Sequence, residues 1–289
     1  MDNCYGWSSK IFNFSRLNLN NIPNTNQADP IPETARLEIE ELLLTGDLFR
    51  YTNEQSAVLN LEQNFALKIG SSYALAVSSC SAALFLALKA LNLGEKARVL
   101  IPAFTFGAVP SAVVHADCIP VLCECGIDYR IDIDDFLSKL ESVDAVLISH
   151  MRGHTSDMDK ILLHCDRLKI PVIEDAAHSL GTTWRGKHIG TFGQFGCFSF
   201  QSYKLLNSGE GGMLVTNDPD YFAKVVVMSG AYEHNWKKHQ GEQEFFEKWQ
   251  NLLPLYNMRL NNLSAAIVNA QLPYLNHRVD NGRRNHDIT

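Results

Sequence analysis

One lysine, Lys204, has an unusual setting. It follows the aromatic, strand-like FSFQSY and precedes the glycine cluster in LLNSGEGG. A lysine amine can attack an aldehyde and form a Schiff base when its surroundings keep it partly deprotonated. A solvated surface charge is the common alternative for any single lysine. Almost no other cation flanks Lys204 along the chain, which favours the reactive interpretation but does not decide it.

A carboxylate, Asp175, ends the apolar segment IPVIED and begins DAAHSLG. One interpretation is a helix N-cap, a position that Asp favours. The other is a buried carboxylate that pairs with a cationic ring nitrogen, as enzymes that use pyridoxal phosphate (PLP) require. The second interpretation gains weight only together with Lys204.

A site for an anion and one for an aromatic ring can also be proposed. The segment SSCSAAL places Ser78, Ser79 and Ser81 where a strand meets a helix. Free backbone N–H groups and the helix dipole favour a phosphate there, although ordinary N-capping explains these serines equally well. Phe106, four residues after Pro102, is a candidate to stack on a ring, with a core position as the alternative.

Several other motifs do not meet the requirements of known sites. GTFGQFG precedes a strand, so it does not match a dinucleotide-binding turn, and SGEGG lacks the Gly-Lys-Ser/Thr ending of a P-loop. His150 and His154 have an i,i+4 spacing but lie after a strand with no adjacent Glu. We therefore predict no metal site.

Composition limits the class of protein. The 289 residues are 46% hydrophobic and 20% charged, the balance of a globular protein with a substantial core. The length corresponds to about one large domain or two ordinary ones. The formal charge of −7 argues against a general nucleic-acid binder, whose surface would be basic.

The cysteines and the hydropathy pattern indicate the compartment. Seven cysteines are scattered without a CxxC pair, so neither a zinc ribbon nor a disulfide framework is predicted. The start, MDNCYGWSSKIFNF, lacks the basic and apolar regions of a signal peptide. No uninterrupted apolar run reaches the ~18 residues of a membrane helix. We expect a reduced, cytoplasmic protein with no membrane partner.

Apolar strands alternate with helical segments along the chain. The predicted strands are YALAV, RVLI, IPVLC, AVLIS, IPVIED, GCFSF and GMLVTN. Strands that are apolar throughout and alternate with helices imply a parallel sheet covered on both faces. The carboxyl ends of such strands share one edge, where ligands bind. That edge would collect residues 78–81, 102–106, 149–154 and 175–178, and Lys204 would lie in a turn between the last two strands.

Five helical segments carry specific expectations. A helix from Ile31 would place Leu37, Leu42 and Leu43 on one face, and SSCSAALFLALKAL would form a buried helix. A helix near 107–116 follows, and Ser156 would cap the helix in SDMDKILLHCDRLK. WKKHQGEQEFFEKWQNLL indicates a partly amphipathic surface helix.

Together these segments resemble the DegT-type family of PLP-dependent aminotransferases, most of which act on keto sugars. The resemblance covers about Leu37 to Arg284. It rests on SSCSAALFLAL, IPAFTF, DMDKI, VIEDAAHSLGTTWRGKHIGTFGQFGCFSF, KLLNSGEGGMLVTND and YNMRLNNLSAAIVNAQL. It implies an α/β fold: the large domain of the aspartate-aminotransferase-like, fold type I transferases, with a mostly parallel seven-stranded sheet between helices.

The resemblance implies a role for each candidate residue around PLP. Lys204 would hold the cofactor as a Schiff base and later move the substrate proton. Asp175 would pair with the pyridinium nitrogen, Phe106 would stack on the ring and His178 would lie near the phenolic oxygen.

It also implies how the phosphate is held. Cys80, Ser81 and Ser199 would bind it within the chain. Asn257, in YNMRL, matches a residue that family members lend to the phosphate site of a neighbouring subunit, which implies a homodimer with a shared active site.

By the same resemblance the chain would transfer an amino group from glutamate or glutamine to a keto sugar in sugar biosynthesis. Relatives that carry His in place of Lys204 are dehydratases, so the lysine favours the transaminases. Two segments depart from the common pattern: Cys80 stands where many members have Gly, and HMRGHTSDMD replaces HLYGQPADMD. The segment HMRGHTSDMD, together with FRYT (residues 49–52), resembles the branch that aminates eight-carbon keto-sugar acids.

The expected organisation is an irregular, Asn-rich arm over 1–30, a PLP-binding large domain over 31–272, and the start of a linker helix over 273–289. The sequence stops at RRNHDIT, where family members continue into a small C-terminal domain. A fragment, a partner that supplies the remainder and a loss of activity are all open. The alternative functions are a catalytically incomplete PLP-binding homologue with a regulatory or binding role, and a nucleotide-binding α/β module.

Overall fold

A seven-stranded sheet organises the chain, which the computed structural model describes over residues 30–53 and 55–288. The strands are β1 (Tyr73–Val77), β2 (Arg98–Pro102), β3 (Ile119–Cys123), β4 (Ala145–Ser149), β5 (Val172–Asp175), β6 (Thr183–Trp184), β7 (Lys187–His188), β8 (Phe195–Ser199) and β9 (Gly212–Thr216). The large sheet has the order β1-β9-β8-β5-β4-β2-β3, and β6 and β7 form a separate hairpin.

The sheet is mostly parallel. The β3–β2, β2–β4, β4–β5 and β5–β8 pairs are parallel, whereas β9 is antiparallel to both β8 and β1. Every residue of β4, β8 and β9 is buried, because helices cover both faces of the sheet. The fold predicted from the sequence is confirmed, including the position of Lys204 between β8 and β9.

Ten helices flank the sheet within the described residues. They are α1 (Thr34–Thr45), α2 (Ala57–Ile69), α3 (Cys80–Leu91), α4 (Ala108–His115), α5 (Ile133–Leu140), α6 (Met158–Leu168), α7 (Pro219–Gly230), α8 (Gln243–Trp249), α9 (Asn262–Gln271) and α10 (Leu275–Ile288). Helices α3, α4, α7 and α8 pack in the core on one face of the sheet. Helices α2, α5, α6 and α9 pack in the core on the other.

Helix α3 is the element that connects the core to the site. Its N-cap, Ser79, accepts a hydrogen bond from the Ala82 N–H at 3.0 Å, and its last turn ends at Asn92 in the left-handed conformation. Eight of its twelve residues are buried, as predicted for this apolar segment. Burial on this scale fixes the start of the helix at the edge of the sheet.

Three helix predictions need correction. Leu37 and Leu43 of α1 are 74% and 63% exposed, and only Leu42 packs against the core, because the neighbouring elements contact a different face. The cap of α6 is Asp157, whose side chain accepts from Lys160 N; Ser156 is buried and instead accepts from Ile131 N at 3.1 Å.

The predicted surface helix of WKKHQGEQEFFEKWQNLL is much shorter in the structure. Only α8 and a 3-10 turn at Asn235–Lys238 are helical, and Trp236 and Phe246 stack in the core. No helix of the described ranges has the length and apolarity to span a bilayer.

The ends of the chain bear on the predicted domain boundaries. The arm predicted over 1–30 lies outside the described residues except for Pro30. The segment predicted as a linker is helical in α10, after a 3-10 turn at Leu272–Tyr274. The division into domains remains a prediction.

Candidate active site

A cavity of about 590 Å³ lies at the carboxyl ends of β4 and β5 and at the start of α3. We call it the Lys204 cavity. Seven of the eight predicted site residues line it: Cys80, Ser81, Phe106, Asp175, His178, Ser199 and Lys204. They come from five separate segments of the chain. Asn257 does not line it but is exposed next to Met258, whose carbonyl accepts from Ser78 N at 2.9 Å.

Asp175 is a buried carboxylate that is held from two sides. It ends β5 in register with Ser149 at the end of β4. The Ser149 hydroxyl donates to Oδ2 at 2.7 Å and the Ala177 N–H donates to Oδ1 at 3.1 Å. No helix begins after Asp175, so the N-cap interpretation is wrong. The carboxylate is 6% exposed and faces the cavity, as pairing with a ligand cation requires.

Lys204 lies in the turn between β8 and β9. Ser202 N donates to the Gly209 carbonyl at 3.1 Å and closes the turn, in which Gly209 has the positive φ of 84° that glycine tolerates. Partial burial lowers the pKa of Lys204, the Asp175 charge opposes this shift, and the Arg152 charge adds to it. In the described part of the chain, Nζ of Lys204 has no hydrogen-bond or ion-pair partner. Lys204 therefore has an amine that is free of protein partners among the described residues and whose pKa is shifted towards the neutral form that a reaction with an aldehyde needs.

His178 lines the cavity together with Lys204 and Asp175. Its pKa is lowered, first by burial and then by the charges of Lys204 and Arg152, while Asp175 opposes the shift. At neutral pH the ring is therefore mainly neutral, and one ring nitrogen can donate while the other accepts.

The start of α3, where an anion site is predicted, lines the cavity. As first residues of the helix, Cys80 and Ser81 have backbone N–H groups without an intrahelical partner. The strand register pairs Ser199 with Gly212. A Cβ on Gly212 would lie 2.5 Å from the Ser79 carbonyl carbon and 2.6 Å from Cys80 N. Glycine is thus required for β9 to approach the helix start, which brings Ser199 to the same donors.

The Cys80 thiol lies between this anion site and Asp175. Its Sγ is 3.9 Å from Oδ1 of Asp175. Burial raises the pKa of Cys80 well above its usual value, and the charge of Asp175 raises it further, so the thiol remains protonated. Cys80 accordingly contributes a backbone N–H and a neutral side chain.

Phe106 is 63% exposed although it lines the cavity. This position excludes the alternative that it is a core residue. An exposed ring beside a cavity that holds an amine and a carboxylate is available to stack on a flat ligand. The cavity therefore offers the kinds of group that PLP requires: backbone donors at the start of α3 for a phosphate, Phe106 for a ring, Asp175 for a ring nitrogen and Lys204 for an aldehyde.

The glycine-rich GTFGQFG segment has a structural explanation. Glu174 is fully buried and accepts the N–H groups of Gly190, Phe192 and Gly193 at 2.8, 2.6 and 2.8 Å. It also pairs with His150 at 3.1 Å. These bonds hold the segment against Glu174, which precedes Asp175 at the end of β5. His150 and the glycine-rich segment therefore support the position of Asp175.

Several cavity residues were not identified individually from the sequence, among them Arg152, Tyr203 and Glu210. Ser149, which positions Asp175, also had no individual role. All four lie at the predicted strand ends or next to Lys204, and this position was the available signal. Their side-chain directions depend on turn geometry that the sequence pattern does not specify.

Comparison with known proteins agrees with this geometry. The sequence model of the DegT/DnrJ/EryC1/StrS aminotransferase family matches residues 33–288. Spore coat polysaccharide biosynthesis protein SpsC of Bacillus subtilis (strain 168) is 34% identical over 245 residues, which are 82% of this chain and 61% of SpsC. GDP-perosamine synthase of Escherichia coli O157:H7 is 30% identical over 257 residues, 85% of this chain and 68% of that protein.

A solved structure gives the same result for the fold. Escherichia coli GDP-4-keto-6-deoxy-D-mannose-3-dehydratase with bound hydrated PLP superposes with a TM-score of 0.80 and 25% identity, over 90% of this chain and 70% of that one. The chain spans 61% of the length of SpsC and 68% of that of GDP-perosamine synthase. It spans 55% of a third relative, a protein of Methanocaldococcus jannaschii that is 34% identical to it. The cofactor that the family and the PLP-bound structure indicate is pyridoxal phosphate, as the sequence predicted. The chain belongs to the DegT/DnrJ/EryC1/StrS aminotransferase family.

Proposed function

We propose that this chain carries out PLP-dependent transamination of a keto sugar, either nucleotide-linked or a keto-sugar acid, with glutamate or glutamine as amino donor. The observation that carries the proposal is the convergence of Lys204, Asp175 and His178 on one cavity whose other end is the start of α3. When bound, PLP supplies the electron sink for bond changes at the carbon that bears the nitrogen. The donor is left as a 2-oxo acid and the sugar gains the amine.

Each cavity residue has its own role in this reaction. Lys204 Nζ would hold the aldehyde and would move a proton to and from the reacting carbon. Asp175 would keep the ring nitrogen protonated, and neutral His178 would hydrogen-bond the phenolic oxygen. Phe106 would cover the ring. The N–H groups at the start of α3 would bind the phosphate together with the hydroxyls of Ser81 and Ser199.

The proposal includes a homodimer in which Asn257 reaches the phosphate of the neighbouring copy. Its support is that Asn257 is exposed and does not line the cavity of its own chain. We also propose a cytoplasmic location. The six described cysteines are all free thiols, which fits a reducing compartment.

The test is the visible absorption spectrum of the purified chain with PLP, before and after borohydride. We expect a band that borohydride traps covalently in the wild type and not in Lys204→Ala. Lys96→Ala, which removes an exposed lysine far from the cavity, is the matched control and should keep the band. Circular dichroism of each variant separates loss of the amine from loss of the fold.

Glutamate added to a PLP-loaded sample that has not been treated with borohydride tests the first half-reaction. Bleaching of the band, with formation of 2-oxoglutarate, supports transamination. A stable band with every amino donor supports the catalytically incomplete PLP-binding homologue. If no band depends on Lys204, the proposed function is wrong.

A further inference from the structure

Arg152 lies on the wall of the Lys204 cavity in a strained turn. The turn, Met151–Gly153, follows β4, and Arg152 has φ 56° and ψ 21°. A left-handed conformation is unfavourable for a residue other than glycine. The following Gly153 also has a positive φ, 82°. Such strain persists only where the surrounding structure enforces it.

The surrounding structure does hold this turn in place. His150 N donates to the Asp175 carbonyl at 3.0 Å, and the Ser179 hydroxyl donates to the His150 carbonyl at 2.7 Å. Gly153 N donates to the same His150 carbonyl at 3.2 Å. The backbone of Arg152 is thereby tied to the segment that carries Asp175 and His178, and its side chain is exposed on the cavity wall.

The guanidinium of Arg152 is unpaired in the part of the chain that the structure describes. Within residues 30–53 and 55–288, it forms neither a hydrogen bond nor an ion pair. The two carboxylates on the cavity wall are Asp175 and Glu210, and neither is paired with it. By contrast Arg185, which is also exposed and left-handed with φ 48°, forms an ion pair with Asp159 at 2.6 Å outside the cavity.

Arg152 lines the same cavity as Lys204 and His178. Its charge lowers the pKa of both, as described above. A guanidinium remains protonated at any ordinary pH, and its planar fork matches a carboxylate with two parallel hydrogen bonds. An anion near Lys204 would both satisfy the arginine and offset its repulsion of the neighbouring amine.

We propose that Arg152 binds the carboxylate of an acidic ligand in the Lys204 cavity. This inference deepens the proposed function and rests on it for the identity of the ligand. Two ligands of that reaction can present a carboxylate: the amino-acid donor, whose α-carboxylate is bonded to the carbon that bears the reacting amine, and an acidic keto sugar. The donor is favoured because its carboxylate is adjacent to the atom that reaches Lys204.

The first experiment measures binding without turnover. Glutarate, an unreactive dicarboxylate, and glutaramide, its neutral diamide, are titrated calorimetrically into the PLP-loaded wild type, Arg152→Gln, Arg152→Lys and Arg185→Gln. We expect Arg152→Gln to weaken glutarate binding about ten- to a hundredfold, the range for a charged hydrogen-bonded contact. Arg152→Lys should recover part of the affinity, since it keeps the charge but loses the fork. Arg185→Gln and all glutaramide titrations should match the wild type.

The second experiment identifies the source of the carboxylate. The glutamate concentration for half-maximal bleaching is measured with and without gluconate, a sugar acid, as a competitor. A rise in that concentration for Arg152→Gln identifies the donor. An unchanged value with weaker inhibition by gluconate identifies the sugar acid.

The proposal is overturned if the wild type does not bind glutarate, if Arg152→Gln binds it as tightly as the wild type, or if Arg185→Gln loses as much affinity. The glutarate titration does not depend on turnover. Weakened glutarate binding in a chain without donor-dependent bleaching would therefore support the role of Arg152 and contradict the transaminase function.

Discussion

Ser149 and Asp175 face each other in register at the ends of two neighbouring parallel strands, and the serine hydroxyl donates a 2.7 Å hydrogen bond to Oδ2 of the carboxylate. Both side chains are buried. Because a second donor, Ala177 N, holds Oδ1, the carboxylate has one orientation before any ligand binds. This preorganisation is what a group that pairs with a ring nitrogen needs.

Replacement of Ser149 by Ala should therefore lower the free energy of unfolding by about 1.5–3 kcal/mol, the range for a hydrogen bond to a charged group. Urea unfolding measures this loss. Ser138→Ala is the control, because its exposed hydroxyl donates to the Asp135 carbonyl at 2.7 Å and its removal should cost less than about 0.5 kcal/mol. Equal losses in the two variants would show that the Ser149 bond does not stabilise the carboxylate.

The pKa of Lys204 should be visible in its reactivity. Burial lowers this pKa, so between the folded-state value and the unfolded value the native chain holds a neutral amine that the unfolded chain would protonate. Acetylation, which requires the neutral amine, should reach half its maximal rate at lower pH for Lys204 in the folded chain than for Lys204 in the chain unfolded in urea. Mass spectrometry of both samples over a pH series makes the comparison, with the exposed Lys96 as an internal standard for labelling.

Two variants test the causes of this shift. Asp175→Asn removes the charge that raises the pKa of Lys204, so the acetylation profile should move to lower pH. Arg152→Gln removes a charge that lowers it, so the profile should move to higher pH. Movement in the opposite directions, or a folded wild-type profile like that of the unfolded chain, would contradict this account.

The sequence predicted the strand ends that meet at the cavity, because continuous apolar strands separated by helices leave few topologies. Lys204, Asp175 and Phe106 could be placed at one edge on that basis. The Ser149 bond to Asp175 could not be predicted, since it depends on the exact register of β4 with β5. The capping error at Ser156 has a similar origin: Ser156 and Asp157 are both good caps, and only backbone geometry selects between them.

The α1 leucines, which were predicted to share one face, show another limit of the sequence pattern. A helical pattern shows which residues share a face, but not which face finds a partner, and Leu37 and Leu43 are exposed among the described residues. The buried Arg50 also gave no signal, because arginine is ordinarily exposed. Its partner, Glu62, lies on α2 and becomes its neighbour only through the fold.

The ion pair of Arg50 and Glu62 is fully enclosed. Nη2 of Arg50, which is 0% exposed, donates to both oxygens of Glu62 at 2.8 and 3.0 Å. The backbone of Ala76 in β1 completes the network: its N–H donates to Glu62 at 2.7 Å, and its carbonyl accepts from Arg50 at 3.1 Å. The pair thus ties the segment before α2 to the edge of the sheet.

Glu62→Gln should leave an uncompensated buried guanidinium and lower the free energy of unfolding by about 3–5 kcal/mol. The measurement is the urea midpoint at constant slope. Glu40→Gln breaks an exposed pair with Arg36 at 3.0 Å and should cost only about 0.3–0.5 kcal/mol. A loss below about 1 kcal/mol for Glu62→Gln would mean that the network relaxes to accept the neutral amide.

Gly212→Ala should damage both the fold and the anion site, because its Cβ would lie 2.5 Å from the Ser79 carbonyl carbon and 2.6 Å from Cys80 N. Backbone atoms cannot rotate away, so β9 or the start of α3 must shift, at a cost of about 1–3 kcal/mol. We expect a lower urea midpoint and weaker PLP uptake, measured by fluorescence quenching. The control is Gly282→Ala in α10, where a Cβ meets nothing within 4 Å; it should leave PLP uptake unchanged and stabilise the helix slightly. If Gly212→Ala takes up PLP like the wild type, close contact between β9 and α3 is not what positions the phosphate donors.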